Sequence, residues 1–306
     1  MNRKPLKQDK YETCYNEISR LAESFTNAFS KSVSVIVPTY NCRDFLARSL
    51  DGLKLQTYPS HLIEVIIADD GSSDGLISFI KNYKSPWKLV IVSQEDKGFR
   101  IASIRNKAIL KAQGDIIVNL DADMFPLPEF LSEHLKIFHV SDEVIGIGPR
   151  RFVDMRHITH PIALSDLANI KKLPDVLSSS NWFLPKDRRL SEFEHFQKHP
   201  MPFHLFHGCN VSYRKKDALD VGLYSEDFDG HWGWEDVEFA YRLWKNDMIF
   251  LYIPRAAAFH QESQLNSHEQ KVKDDQINFE LACDKIQGLR RFKKRINITN
   301  RKPWWA

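Results

Sequence analysis

The sequence predicts an α/β protein, a mostly parallel sheet flanked by helices, followed by a less regular carboxyl half and trailing helices. Three observations predict it. Apolar or β-branched runs recur at residues 33–37, 65–68, 89–92 and 116–120, as strands buried on both faces do. Between them the apolar residues return at helical spacing, which makes βαβ units. Polar clusters close three of the four runs: Pro38-Thr39-Tyr40-Asn41, Asp69 to Asp74, and Asp121-Ala122-Asp123. Parallel strands point the same way, so these clusters share one rim of the sheet, where open α/β sheets bind ligands.

Residues 1–31 are a polar lead-in with Ile18, Leu21, Phe25 and Phe29 at helical spacing, predicting a helix on the outside of the domain. The first strand, 33–37, closes in the turn 38–41, where Asn41 suits a helix N-cap and Asp44 favours the first turn. Leu46, Leu50 and Leu53 mark the buried stripe of that helix. The second strand runs into Asp69-Asp70-Gly71-Ser72-Ser73-Asp74, ahead of a helix carrying Leu76, Phe79, Ile80 and Tyr83. After the third strand a helix carries Ile101, Ile104, Ala108 and Ala112 and leads into 116–120, bounded by Gly114 and Pro126.

Past Phe138 the alternation weakens. Residues 144–147 read as another strand, and 149–206 are irregular and rich in Pro, His and Arg, as a lid or acceptor-shaping loop is. A mixed tract at 207–213 precedes Gly230-His231-Trp232-Gly233-Trp234-Glu235-Asp236, which feeds a helix with Val237, Ala240, Tyr241 and Trp244 on one face. Residues 249–253 form a strand that stops at Pro254, with Phe259-His260 just beyond. Residues 266–297 read as charged helices. The expected organisation is a lead-in at 1–31, a main domain at 32–262 with halves 32–148 and 149–262, and a basic helical tail at 263–306.

The chain has 306 residues, 42% hydrophobic and 27% charged, enough for a large core. Its net charge of +3 is too small to argue for a nucleic-acid partner. Cys14, Cys42, Cys209 and Cys283 stand far apart without a Cys-x-x-Cys pair, which favours reduced thiols in a cytosolic setting over a zinc site or disulfides. The first thirty residues lack an apolar h-region, so no signal peptide is expected. No apolar window is long enough to span a bilayer. A cytoplasmic protein is expected, peripheral at the inner face of the membrane at most.

Asp121 and Asp123 repel one another and need a cation or strong solvation to stay ionised. A hard divalent ion that also binds substrate phosphates would satisfy them. His260 is a plausible nitrogen ligand beside them, and a mixed oxygen and nitrogen site leans toward manganese over magnesium. His207 is a weaker candidate of that kind. Asp69 and Asp70 suit a turn, yet Asp70 could also accept the N3–H of a uracil ring stacked on Tyr40. Such stacking is worth ~1–3 kcal/mol. In the 232–236 cluster the acids could simply cap a helix over core tryptophans. Functionally, Trp232 and Trp234 would wall a sugar face, Asp236 would act as general base, and Glu235 would hydrogen-bond the acceptor. The helix N-terminus would lower the pKa of both acids. Arg100 and Arg105 could contact phosphate or line a solvated helix face. The tail, with Phe292, Trp304 and Trp305 among Arg and Lys, reads as a frayed solvated helix or as an anionic-membrane contact.

Val33 to Asn41, Ala68 to Asp74 and Asp121 to Asp123 together resemble the family 2 glycosyltransferases of GT-A, Rossmann-like fold. Gly233 to Asp236 and His260 resemble the carboxyl half of the β-galactosyltransferase and chondroitin-polymerase type. The resemblance covers roughly residues 32–262. It implies donor binding by Pro38, Thr39, Tyr40, Asp70, Arg100, Asp121 and Ala122, with Asp70 on the base and Asp121 near ribose and metal. It implies an ion, manganese or magnesium, at Asp121, Asp123 and His260, and proton removal by Asp236. Trp234 abuts Glu235 directly, without the extra glycines of the galactosyltransferase block, which is closer to the bacterial polymerase type. The activity implied is inverting, metal-dependent transfer of a hexose or N-acetylhexosamine from a UDP-sugar to a hydroxyl of a saccharide or glycolipid acceptor, as in bacterial polysaccharide or glycoconjugate synthesis. One such domain argues against a two-site polymerase. The rivals are a nucleotide-sugar-binding protein without transfer activity and a nucleotidyltransferase on a similar sheet. Against the second, the chain has no Gly-rich phosphate loop with a Lys.

Overall fold

The apolar runs fold as buried strands. In the computed structural model, which describes residues 6–26, 29–173, 187, 189–261 and 268–298, α1 (Gln8–Ser24) precedes a regular alternation. It runs β1 (Val33–Thr39), α2 (Arg43–Lys54), β2 (Ile63–Asp69), α3 (Leu76–Asn82), β3 (Lys88–Ser93), α4 (Ile101–Lys111) and β4 (Ile116–Leu120). Every residue of β1, β2 and β4 is buried, because helices cover both faces of the sheet. There follow β5 (Met124–Pro126), α5 (Phe130–Val140), β6 (Val144–Ile147), β7 (Arg150–Val153), α6 (Leu167–Ile170) and α7 (Leu190–Phe193). The chain then continues through β8 (Asn210–Arg214), α8 (Lys215–Asp220), α9 (Glu235–Lys245), β9 (Ile249–Tyr252), β10 (Ala258–Gln261), α10 (His268–Lys285) and α11 (Leu289–Ile298).

The main sheet has seven strands in the order β3-β2-β1-β4-β8-β6-β9. β8 is its antiparallel member, paired against β4 and β6. Its start lies opposite the end of β4, with Asn210 facing Leu120, so the turn before β8 joins the rim that carries Asp121. A second sheet, β5-β10-β7, sets His260 across from Met124. Gln261 N–H donates to the Asp123 carbonyl at 2.8 Å, and the Gln261 side chain is tied to α2 through Ser49 and Arg48. His260 is thereby fixed beside the Asp123 loop.

Several expectations need correction. Asn41 is not the cap of α2. It sits at φ 48° and its side-chain oxygen accepts from Ser73 N–H at 2.8 Å, while Asp74 accepts from Arg43 N–H at the helix start. The lead-in helix does pack outside the sheet, but through Tyr11 and Ala22, leaving Leu21 and Phe29 exposed. Tyr11 O–H donates to the Phe250 carbonyl and accepts from its N–H. The described end of segment 149–206 is core, with Phe193, Phe196, Phe203, Leu205 and Phe206 buried, and residues 174–186 lie outside the described residues. Leu289 and Phe292 of the tail are buried too, with Phe292 against His199 and His204. These two apolar side chains of the tail thus face the core. Trp304 and Trp305 lie outside the described residues. Among the described residues no helix is long and apolar enough to cross a membrane.

β8 carries polar residues into the core, and α5 satisfies them. The ring nitrogens of the fully buried His134 lie 2.9 Å from Ser212 Oγ and 2.7 Å from Asn210 Oδ1. Burial pushes His134 down to about 4, whereas the unfolded chain takes its proton near ~6.5. The stability this residue contributes is therefore fully present above the unfolded value and lost as pH falls toward the folded one. His134→Asn is expected to cost about 1–3 kcal/mol near neutral pH. In paired urea melts the gap to the parent should narrow on acidification. A gap that stays constant or widens would contradict the assignment.

Candidate active site

The rim is built where β1, β2 and β4 end. Pro38 and Thr39 are buried in β1, and Tyr40 stands exposed just past it with its O–H donating to Asp96 Oδ2 at 2.9 Å. Asp70 is buried. Its Oδ1 accepts from Gln94 Nε2 at 2.6 Å and its Oδ2 from Arg100 N–H at 2.8 Å. Asp69 is occupied as a turn former, accepting from Ser72 N–H. A side chain on Gly71 (φ 91°) would collide with the Asp96 backbone, so the Asp-Asp-Gly turn requires glycine there. Arg100 serves here through its backbone, and its guanidinium folds back to the Glu95 carbonyl.

Arg105 joins the two halves of the rim. The sequence left it open as a solvated helix face, but it is 3% exposed because its ion partners come from elsewhere in the chain. Its Nη2 lies 3.2 Å from Asp121 Oδ1 and its Nη1 2.8 Å from Glu235 Oε1. Gly208 makes room for it, since a Cβ there would stand 2.8 Å from Arg105 Nη2. Gly208 N–H in turn donates to Asp236 Oδ2 at 2.9 Å. Asp236 Oδ1 accepts from Val237 N–H at 2.7 Å. The guanidinium, the β8 turn and the start of α9 thus set Asp121, Glu235 and Asp236 in one cluster.

The charge state of that cluster differs from expectation. The helix N-terminus was expected to lower both α9 acids, yet burial dominates. It raises Asp236, and with the neighbouring Asp236 charge it pushes Glu235 up to about 7. Glu235 is enclosed, with Oε1 on Arg105 and Oε2 buried without a hydrogen-bond partner among the described residues. Trp234 is also buried, 8% exposed, with its indole N–H donating to Asp275 Oδ1 at 2.9 Å. Its ring is core, against Phe279, and only Trp232 remains exposed as a wall. Trp234 also adopts φ 74°, a left-handed conformation that costs a bulky residue about 1–3 kcal/mol.

On the other side of Asp121, Asp123 Oδ2 lies 3.4 Å from His260 Nε2. Asp123 Oδ1 is buried without a hydrogen-bond partner among the described residues, and burial raises its carboxyl to about 6. An orphaned carboxylate oxygen beside an imidazole nitrogen fits a divalent cation, which would satisfy both. Asp121 turns toward Arg105 instead, so the expected three-residue shell is not assembled. Among the described residues no group of three or more His, Cys, Asp or Glu side chains is arranged to hold an ion. His207 is taken by Arg150, its Nδ1 3.2 Å from Arg150 Nη2, and burial pushes its pKa well below the usual value. Arg150 also reaches Cys209 Sγ at 3.4 Å and covers the Phe152 ring, which packs on His260. The sequence reading missed Arg150, since an arginine in an irregular stretch carries no pattern of its own.

Known proteins resemble this chain in sequence and in fold. The family model described as Glycosyl transferase family 2 matches residues 34–222, and that described as N-terminal domain of galactosyltransferase matches 188–262. A chondroitin synthase from Escherichia coli is 30% identical over 86% of this chain, which spans 40% of that protein. Among solved structures, S. aureus TarS 1-349 in complex with UDP-GlcNAc aligns with TM-score 0.53 at 19% identity, over 80% of this chain and 65% of that one. The mannosyltransferase PcManGT from Pyrobaculum calidifontis, in complex with GDP-Man and Mn2+, aligns with TM-score 0.53 at 19% identity, over 89% of this chain and 73% of that one. These neighbours share the GT-A fold.

Proposed function

Because the chain belongs to glycosyl transferase family 2, we propose that it is an inverting glycosyltransferase, moving a hexose or N-acetylhexosamine from a UDP-sugar to a hydroxyl of a saccharide acceptor in bacterial polysaccharide or glycoconjugate synthesis. The observation that carries this reading is Arg105, a single buried guanidinium bonded to Asp121 on the donor strand and to Glu235 beside Asp236. It links the end of the sheet that suits a nucleotide to the helix that carries a base.

In this reading the uracil ring stacks on Tyr40 and meets Asp70, whose carboxylate is already oriented by Gln94 and Arg100 N–H. Each oxygen of that carboxylate keeps a second acceptor position for the base. Asp123 and His260 would hold a divalent ion, and that ion would neutralise charge on the departing UDP. Asp236, fixed by Gly208 and Val237 N–H, takes the proton of the acceptor hydroxyl. The hydroxyl oxygen bonds to the anomeric carbon as the bond from that carbon to the phosphate oxygen breaks on the opposite face, so the configuration inverts. Trp232 lines the acceptor side, and Arg105 keeps the two carboxylate groups in register.

A panel of UDP-sugars with manganese tests the reading. One donor should release UDP, metal-dependently, and faster when a saccharide acceptor is present. No release from any of them, with or without acceptor, would overturn it.

A further inference from the structure

Both family matches end at or before residue 262, yet the loop that delivers the base is held from beyond that point. Asn278 of α10 is 1% exposed, and its Nδ2 donates to three successive parts of the loop. The carbonyls of Phe228, His231 and Gly233 lie 3.2, 2.9 and 2.8 Å away. An amide nitrogen carries two protons, so the three contacts share them and the loop is gathered around one atom. One turn earlier on the same helix, Asp275 accepts from the Trp234 indole N–H at 2.9 Å and Asp274 Oδ1 lies 3.0 Å from His231 Nδ1. Farther up, Lys271 Nζ stands 5.7 Å from the centre of the Trp232 ring. On the opposite side the start of the loop is tied to α4 and the segment just before it, Gly230 N–H donating to the Phe99 carbonyl at 2.6 Å and Asp229 accepting from Ala102 and Ser103 N–H. From His231 to Trp234, however, α10 supplies the side-chain hydrogen bonds, and Gly230, Gly233 and Trp234 all have positive φ. Such a path persists only where its surroundings impose it.

We infer that α10 is the positioning element of the catalytic loop, with Asn278 as the positioning residue that fixes residues 228–234 and, through Trp234, the start of α9 and Asp236. The inference rests on the glycosyltransferase reading and extends it to residues outside both family matches. Asn278 touches no substrate. Its amide sets where the carboxylate of Asp236 stands relative to the acceptor hydroxyl, and a small misplacement at that distance is costly in rate.

The test is a split between chemistry and donor binding in the full chain. Asn278→Ala is expected to lower kcat for transfer about ten- to a hundredfold while UDP affinity in manganese is retained, because Asp70, Asp123 and His260 stand on other elements. Hydrogen exchange should quicken at the amides of 230–236 and not in β1 or β4. Should that variant fail to fold, Trp234→Phe keeps a ring and removes the indole donor to Asp275, and should give the same split to a smaller degree. Transfer unchanged in the folded variants, or transfer and UDP affinity falling together, would overturn the inference and leave the glycosyltransferase reading intact. A parent chain that transfers no sugar at all would sink both.

Discussion

Asp236→Asn is expected to lower sugar transfer about 10²–10⁴-fold while leaving UDP binding intact. The substitution keeps the shape of the side chain and one acceptor oxygen, which can still serve Gly208 N–H, while the amide nitrogen takes the place of the oxygen that accepts from Val237 N–H. What disappears is the proton acceptor. General-base catalysis by a positioned side chain contributes typically about 10²–10⁴-fold, and that is the loss expected in kcat. Burial raises the Asp236 pKa, which makes it a stronger base than an exposed carboxylate. The cluster tolerates that because Arg105 balances the charge of Asp121 and Glu235 nearby. Steady-state transfer against UDP titration reads the two effects separately. Equal loss of both would remove Asp236 from the role of base.

Asp123→Ala acts on the other half of the site. The variant removes the orphaned Oδ1 and the Oδ2 that faces His260, and with them the negative charge that would attract a cation. Manganese affinity and UDP affinity are expected to fall together, each by tenfold or more, about 1.4 kcal/mol or above, because an ion held at Asp123 would also attract the diphosphate. Stability should not suffer, since the lost carboxylate is partly buried without a hydrogen bond at Oδ1 and its removal relieves repulsion with Asp121. Calorimetric titration with manganese, then with UDP, checks this. Unchanged metal affinity would take Asp123 out of the ion's shell.

The fold was legible where burial on both faces makes a strand an unbroken apolar run, as in Val33–Thr39, Ile63–Asp69 and Ile116–Leu120. The ends of those strands could then be read as one rim. β8 was not legible as a strand of the same sheet. Asn-Val-Ser-Tyr-Arg alternates as a strand with one solvated face would, yet Asn210 and Ser212 point into the core and are satisfied by His134, a partner more than seventy residues away. The same kind of distance hid Arg105, which shares a face of α4 with Ile101 and Ala108 but whose partners Asp121 and Glu235 come from elsewhere in the chain. The pattern Trp-Gly-Trp-Glu-Asp marked the right loop, but which ring is core and which is exposed is decided by Asp275 and Phe279 of α10. The expectation of lowered acids at the start of α9 failed for a related reason. The helix terminus acts over one turn, whereas burial by three converging segments outweighs it.

The division of labour on the rim is most directly tested by titrating UDP in manganese into Asp123→Ala and Asp236→Asn side by side. Affinity lost in the first and preserved in the second is the predicted outcome. Affinity lost in both, or in the second alone, would contradict a site in which one carboxylate serves the donor and another the acceptor.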